Sequence, residues 1–241
     1  MMKKKAVVTG GANGIGEAIV KKLLSNKFHV IVIDIDDQKL MDLKARYSEL
    51  EIYVFDLKNV YKLEELAGKI IQKHNQIDVL INNAAIQDES ALEEVTVNQF
   101  EQVLAVNLIS PFFLVKCFMN HFNSDGRILN ITSVHGILPR LNKYSYDASK
   151  AALNLMTKEL ALTLADKNIK VNALAIGATK TPMNNMFKNK LHYETSVNKI
   201  PLNRVTTARE IAKIVYKMLS KDFDYMSGTI LTYDGGRSLI K

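Results

Sequence analysis

The stretch Ala6-Val7-Val8-Thr9-Gly10-Gly11-Ala12-Asn13-Gly14-Ile15-Gly16-Glu17 decides the fold. A short β-branched run passes straight into a glycine-rich turn, and Glu17 to Ser25 follows with the spacing of an amphipathic helix. Glycine permits the tight turn and lets backbone N–H groups come close to a bound pyrophosphate, whose charge the helix N-terminus favours. Taken alone, such a turn is also a plain strand-to-helix connection. Its meaning depends on what surrounds it.

Outward from the turn, β-branched runs recur at Val30 to Ile33, Ile52 to Phe55, Val79 to Ile81, Ile128 to Ile131, Val171 to Ile176 and Thr229 to Thr232. Between them lie stretches of helical period, at Gln38 to Tyr47, Leu63 to Lys73, Gln99 to Phe122, Ser145 to Asp166 and Ala208 to Leu219. This alternation predicts an α/β protein: a doubly wound, Rossmann-type seven-stranded parallel sheet with helices on both faces. The 241 residues carry only four prolines, no repeats and no linker, and one domain over 1–241 is expected. The polar segment 182–201, rich in Asn and Lys, follows the sixth strand and is read as a lid over the substrate.

The second strand ends at Asp34, 18 residues beyond Gly16. A carboxylate there accepts hydrogen bonds from ribose hydroxyls and repels a 2′-phosphate. Asn13 and Ile35 occupy the places where a compensating cation would stand, so NAD is favoured over NADP. The plainer alternative is that Asp34 only ends a strand beside Asp36 and Asp37. Asp56, after the third strand, is either a turn residue or an acceptor for the adenine amino group. Asn82-Asn83-Ala84-Ala85 closes the fourth strand with small residues that let a cofactor lie close.

Tyr146 and Lys150 stand four residues apart at the start of a predicted helix, which puts them on one face. A free phenol ionises near pH 10, and an ammonium about 4 Å away supplies up to about 4 kcal/mol toward lowering that value. Tyr146 is thereby a candidate general acid or base. Tyr144 is turned away from Lys150 by about 240° around the helix. Ser133 ends the fifth strand, 13 residues before Tyr146, where its hydroxyl reaches a substrate oxygen. Asn107, amid apolar neighbours, is either a satisfied core amide or a link in a proton path.

Composition excludes other classes. The net charge of +7 is scattered, with no basic block interleaved with aromatics, so nucleic acid is not an expected partner. No run reaches about 18 uninterrupted apolar residues, and the apolar run after Lys5 is too short for export. The single cysteine, Cys117, reads as a small buried hydrophobe and forms no internal disulfide. A cytoplasmic protein without membrane, and without a metal, is expected.

The order of these motifs resembles the short-chain dehydrogenase/reductase family over nearly the whole chain. Thr9 to Gly16 resembles its Thr-Gly-x-x-x-Gly-x-Gly loop, Asn82 to Ala85 its Asn-Asn-Ala-Gly segment, and Tyr233-Asp234-Gly235-Gly236 its closing motif. Asn107, Ser133, Tyr146 and Lys150 match its catalytic tetrad. The resemblance implies hydride transfer between a nicotinamide and a carbonyl or secondary alcohol. Tyr146 would exchange the proton, Ser133 steady the substrate oxygen, Lys150 hold the nicotinamide ribose and Asn107 anchor a relay water. It implies cofactor contacts from Gly10, Asn13, Gly14, Ile15, Gly16, Asp34, Ile35, Asp56, Leu57, Asn83, Ala84, Tyr146, Lys150, Gly177, Thr179 and Thr181. A homotetramer is implied as well. Ile176-Gly177 departs from the family's Pro-Gly, and Ala85 from its glycine; a shifted loop path is expected. Substrate contacts are expected from Ser133, Tyr146, Gln87 and His135, with Asn142, Ile176 and Met183 nearby; His135 is equally an exposed loop histidine. A 3-oxoacyl-carrier reductase and a non-catalytic dinucleotide-binding regulator stand as alternatives. Enoyl reduction is disfavoured because the related enzymes space tyrosine and lysine more widely.

Overall fold

The computed structural model describes residues 3–181 and 190–240. Its strands are β1 (Lys5–Thr9), β2 (His29–Asp34), β3 (Glu51–Val54), β4 (Ile77–Asn82), β5 (Phe122–Ser133), β6 (Lys170–Ile176), β7 (Thr179–Lys180), β8 (Thr206–Thr207) and β9 (Ile230–Tyr233). Its helices are α1 (Gly14–Leu24), α2 (Asp37–Arg46), α3 (Leu63–His74), α4 (Val97–Leu104), α5 (Ser110–Phe118), α6 (Tyr144–Thr163), α7 (Lys190–Val197) and α8 (Ala208–Met218). Seven strands form one parallel sheet in the order β3-β2-β1-β4-β5-β6-β9, and β7 pairs with β8 apart from it.

Alternation along each strand explains the layering. Ala6, Val8, Val30 and Val32 face a core shared with Leu23, Leu40 and Val215, whereas Val7, Ile31 and Ile33 face one shared with Leu66, Ile70 and Phe118. A sheet buried on both faces needs apolar residues at consecutive positions, which is why its strands read as unbroken β-branched runs. The strand order reverses between β1 and β4, and that reversal opens a crevice at the carboxyl edge. The glycine turn lies there.

Two helices depart from expectation. The predicted run Gln99 to Phe122 is α4 and α5 joined by a π-helical turn, Ala105–Ile109, and it ends at Phe118. The wider turn carries Asn107, fully buried. Val97–Phe118 is also long and apolar enough to cross a membrane by length and composition, yet Val106, Asn107, Leu114, Val115 and Phe118 are buried within the fold. Part of the expected lid, 182–189 with Met183, lies outside the described residues, and 190–197 is helical. Cys117 is half-buried rather than fully so, packed beside the α3–α5 core.

Candidate active site

A cleft of about 360 Å³ opens at the carboxyl edge. Gly10, Asn13, Gly14, Ile15, Gly16, Asp34, Ile35, Asp56, Leu57, Asn83, Ala84, Tyr146, Lys150 and Thr181 all line it. Residues separated by more than 130 positions thus meet in one crevice. Gly177 and Thr179 do not line it. Thr179 is buried, and its hydroxyl donates to the Gly177 carbonyl at 3.0 Å.

Glycine is dictated by contact at two positions. Gly10 has φ +65°, and a Cβ there would stand 2.7 Å from Ala84 Cα; a Cβ on Gly16 would stand 1.9 Å from the Gly10 carbonyl oxygen. The turn is therefore folded back on itself, leaving its backbone bare toward the cleft. Asn83 clips it from β4. Its side-chain amide donates to the carbonyls of Thr9 and Gly10, each at 3.0 Å, while the Thr9 hydroxyl accepts from the N–H groups of Asn83 and Ala84. Asn13 caps α1 by accepting from the Gly14 N–H at 2.9 Å.

The Asp34 carboxylate accepts from the Ala12 N–H at 2.9 Å and the Asp36 N–H at 3.1 Å. It both ends the strand and lines the cleft, and each oxygen keeps a lone pair for a hydroxyl. Lys39 is held by Asp36 at 2.7 Å. Lys58, missed in the sequence, also lines the cleft, with its ammonium 3.5 Å from Asp56.

Tyr146 reaches the cleft from the first turn of α6, and Ser133 stands beside it at the end of β5. Lys150, one turn on, is 2% exposed. Its ammonium donates to the Ile131 carbonyl at 3.0 Å and lies 5.7 Å from the centre of the Tyr146 ring. Burial brings the Lys150 pKa down to about 8. The expected lowering of the phenol does not result: burial pushes Tyr146 up, opposed by the Ser133 hydrogen bond, because desolvating a phenolate outweighs one neutral donor. Asn107 resolves as a satisfied amide. Its Oδ1 accepts from the Ile86 N–H, and its Nδ2 donates to the Ile86 carbonyl and to Ser149 Oγ at 3.1 Å. It fastens the chain after β4 to α6, one residue from Lys150.

The substrate side differs more from expectation. Gln87 is exposed, and neither it nor His135 lines the cleft. His135 Nδ1 donates to the Leu138 carbonyl at 3.1 Å, which pins its loop, and burial lowers its pKa. Residues the sequence did not single out set the mouth. Ser145 donates to Asp88, and the buried Lys143 pairs with Glu89 at 2.9 Å, so the segment after β4 is clipped to the start of α6 on both sides of Tyr144. Thr132, Phe55 and Val106 add to the lining. Ile176 lines it too, and the Gly177 N–H continues the ladder to the Tyr233 carbonyl at 3.0 Å. Ala85 keeps a negative φ, so glycine is not required there.

These features match a known family. A family model described as enoyl-(acyl carrier protein) reductase matches residues 10–238. The chain is 32% identical over 239 residues to a 3-oxoacyl-(acyl-carrier-protein) reductase of Thermotoga maritima, covering 97% of each. Among solved structures it is similar to a 4-hydroxyisoleucine dehydrogenase complexed with NADH, with a TM-score of 0.94, 28% identity and coverage of 99% and 100%. It is likewise similar to a blue fluorescent protein from a metagenomic library in complex with NADPH, with a TM-score of 0.90, 28% identity and 97% coverage of each chain. The chain belongs to the short-chain dehydrogenase/reductase family. It is an oxidoreductase of the kind that acts on CH–OH donors.

Proposed function

We propose that this protein is an NAD-dependent dehydrogenase or reductase of a small carbonyl or secondary alcohol, with Tyr146 as the proton-transferring group. The observation that carries this is the meeting of Tyr146 and the buried Lys150, anchored on the Ile131 carbonyl, in one cleft with a bare glycine turn and Asp34. The bare backbone at Gly10 and Gly16 fits a pyrophosphate, and Asp34 fits an adenosine ribose with a free 2′-hydroxyl. NADP is the lesser expectation, since its extra phosphate would meet this carboxylate. The relatives' cofactors include both NADH and NADPH, so Asp34 is what favours NAD.

When bound, the nicotinamide supplies or accepts the hydride. In reduction, Tyr146 gives its phenolic proton to the substrate oxygen as charge develops there, and the Ser133 hydroxyl donates a second hydrogen bond to that oxygen. Lys150, anchored on the Ile131 carbonyl, retains further N–H donors for the nicotinamide ribose. Asn107 positions Lys150 through Ser149 rather than touching substrate. Thr181 lines the far wall of the cleft, while Gly177 and Thr179 stand behind it, joined by the bond from the Thr179 hydroxyl to the Gly177 carbonyl. Because burial holds the phenol protonated, carbonyl reduction has its proton available at neutral pH, whereas alcohol oxidation should quicken as pH rises.

A 3-oxoacyl-carrier thioester is a second reading, favoured by the Thermotoga relative's name and by the +7 charge, which would attract an acidic carrier. A non-catalytic regulator would leave the Tyr146–Lys150 pair without a use. We further expect a cytoplasmic homotetramer. The test follows reduced nicotinamide by absorbance against ketones, sugars, hydroxy acids and an acetoacetyl-carrier thioester. Tyr146→Phe should lower kcat by about 10³-fold and leave NAD affinity nearly intact; substantial residual turnover would remove the phenol from the mechanism.

A further inference from the structure

The opposite, amino edge of the sheet gathers a group of side chains with no part in the cleft. His29 begins β2, Glu51 begins β3 and His74 ends α3. Glu51 Oε2 lies 3.0 Å from His74 Nε2 and 3.5 Å from His29 Nε2, and one ligand atom from each of the three lies within 4.8 Å of the others. We propose that His29, Glu51 and His74 form a binding site for a divalent cation of the zinc class.

Ligand chemistry and spacing support this. Two imidazole nitrogens and one carboxylate oxygen are a zinc-type donor set, with a fourth tetrahedral position left for water. Arms of about 2.0–2.1 Å place tetrahedral ligand atoms about 3.3 Å apart, between the two separations from Glu51, so the site closes by a small approach of the two rings. The rings are already neighbours, 5.1 Å between centroids. Among the described residues His29 Nε2 is buried and meets only Glu51 Oε2, at 3.5 Å, too long for a good hydrogen bond, while the His29 side chain as a whole is 30% exposed.

Surrounding groups prepare the carboxylate. Tyr53 donates to Oε1 at 2.7 Å and so leaves Oε2 directed at the histidines. Lys73 is the competitor, 2.9 Å from Oε2, but its side chain is 62% exposed and can swing into solvent. His29 and Asp34 stand at opposite ends of β2, roughly 17 Å apart at about 3.3 Å per residue, so this ion would fasten β2, β3 and α3 rather than take part in hydride transfer.

The experiment titrates zinc into untagged, chelator-stripped protein by calorimetry, with melting temperature as the second readout. One zinc per chain is expected to bind and raise the melting temperature. His29→Asn and His74→Asn should each weaken binding at least tenfold and remove the thermal gain, while His121→Asn should do neither. Lys73→Met should bind zinc several-fold more tightly. No stoichiometric binding by the wild type, or binding unchanged in both cluster variants, would overturn the proposal. If neither variant folds, Lys73→Met decides: tighter binding upholds the site, and unchanged binding rejects it.

Discussion

The two edges of the sheet hold their charges in opposite ways. At the carboxyl edge Lys150 is buried with one backbone carbonyl as its hydrogen-bond acceptor, and its pKa falls to about 8. At the amino edge Glu51 is nearly as secluded but has Lys73, Tyr53 and His74 around it, and its pKa falls to about 2. One group has lost preference for its charged form and the other has gained it. Under-compensated burial is costly to folding and is tolerated where a ligand later supplies the missing partner, whereas Glu51 keeps its charge through neighbours already in place.

Lys150→Met should sharpen this contrast most. Turnover is expected to drop by about 10²–10³-fold, since a positioned group beside the reacting phenol is removed. Apo stability should nevertheless rise, because the displacement of Lys150 from 10.5 to about 8 represents about 3 kcal/mol of penalty on the charged form. The pH dependence carries the sign. The unfolded chain keeps this proton up to about 10.5 and the folded chain releases it near 8, so wild-type stability gains a contribution as pH climbs through that window, and the variant lacks it. Equilibrium urea unfolding at several pH values measures both; a variant less stable than wild type at pH 7 would break the comparison.

Asp34→Ala tests the adenosine end of the same edge. It should shrink the preference for NAD over NADP by about tenfold, read from the ratio of the two kcat/KM values. An unchanged ratio would mean that Asp34 serves only the backbone of Ala12 and Asp36.

The smallest effect belongs to the amino edge. Glu51 stabilises the fold fully above its ordinary pKa of 4.5, and that contribution is lost as pH falls toward 2. Glu51→Gln should lower stability by about 1–2 kcal/mol at neutral pH and flatten the acid limb of the unfolding profile, measured by circular dichroism in metal-free buffer. An acid limb identical to wild type would show that the carboxylate is not paired as described.

Much of this was legible in one dimension. Strands such as Val30 to Ile33 announce themselves because a sheet covered on both faces must be apolar at consecutive positions. The glycine turn, Asp34, Ser133, Tyr146 and Lys150 were legible because their chemistry demands particular residue types at particular offsets from strand ends. What was not legible has a common cause: it depends on which side chains from distant segments share space. Phe55 and Val106 look like ordinary core residues until the crevice exposes them, and Lys58 looks like any surface lysine. Asn107 left two readings open, and only the π-helical turn that brings its amide to Ile86 showed the side chain satisfied within the fold. Thr179 sits close to Thr181 in the chain but faces inward, because the β7–β8 pairing turns it from the cleft.

The sequence by itself therefore determined the architecture, the edge at which the cleft opens and most of the residue types that line it, since periodicity and spacing are local properties. Tertiary structure alone decided the direction of the Tyr146 shift, the pinning of His135 to the Leu138 carbonyl and the meeting of His29, Glu51 and His74. Desolvation and through-space contact set those, and neither is a function of separation along the chain.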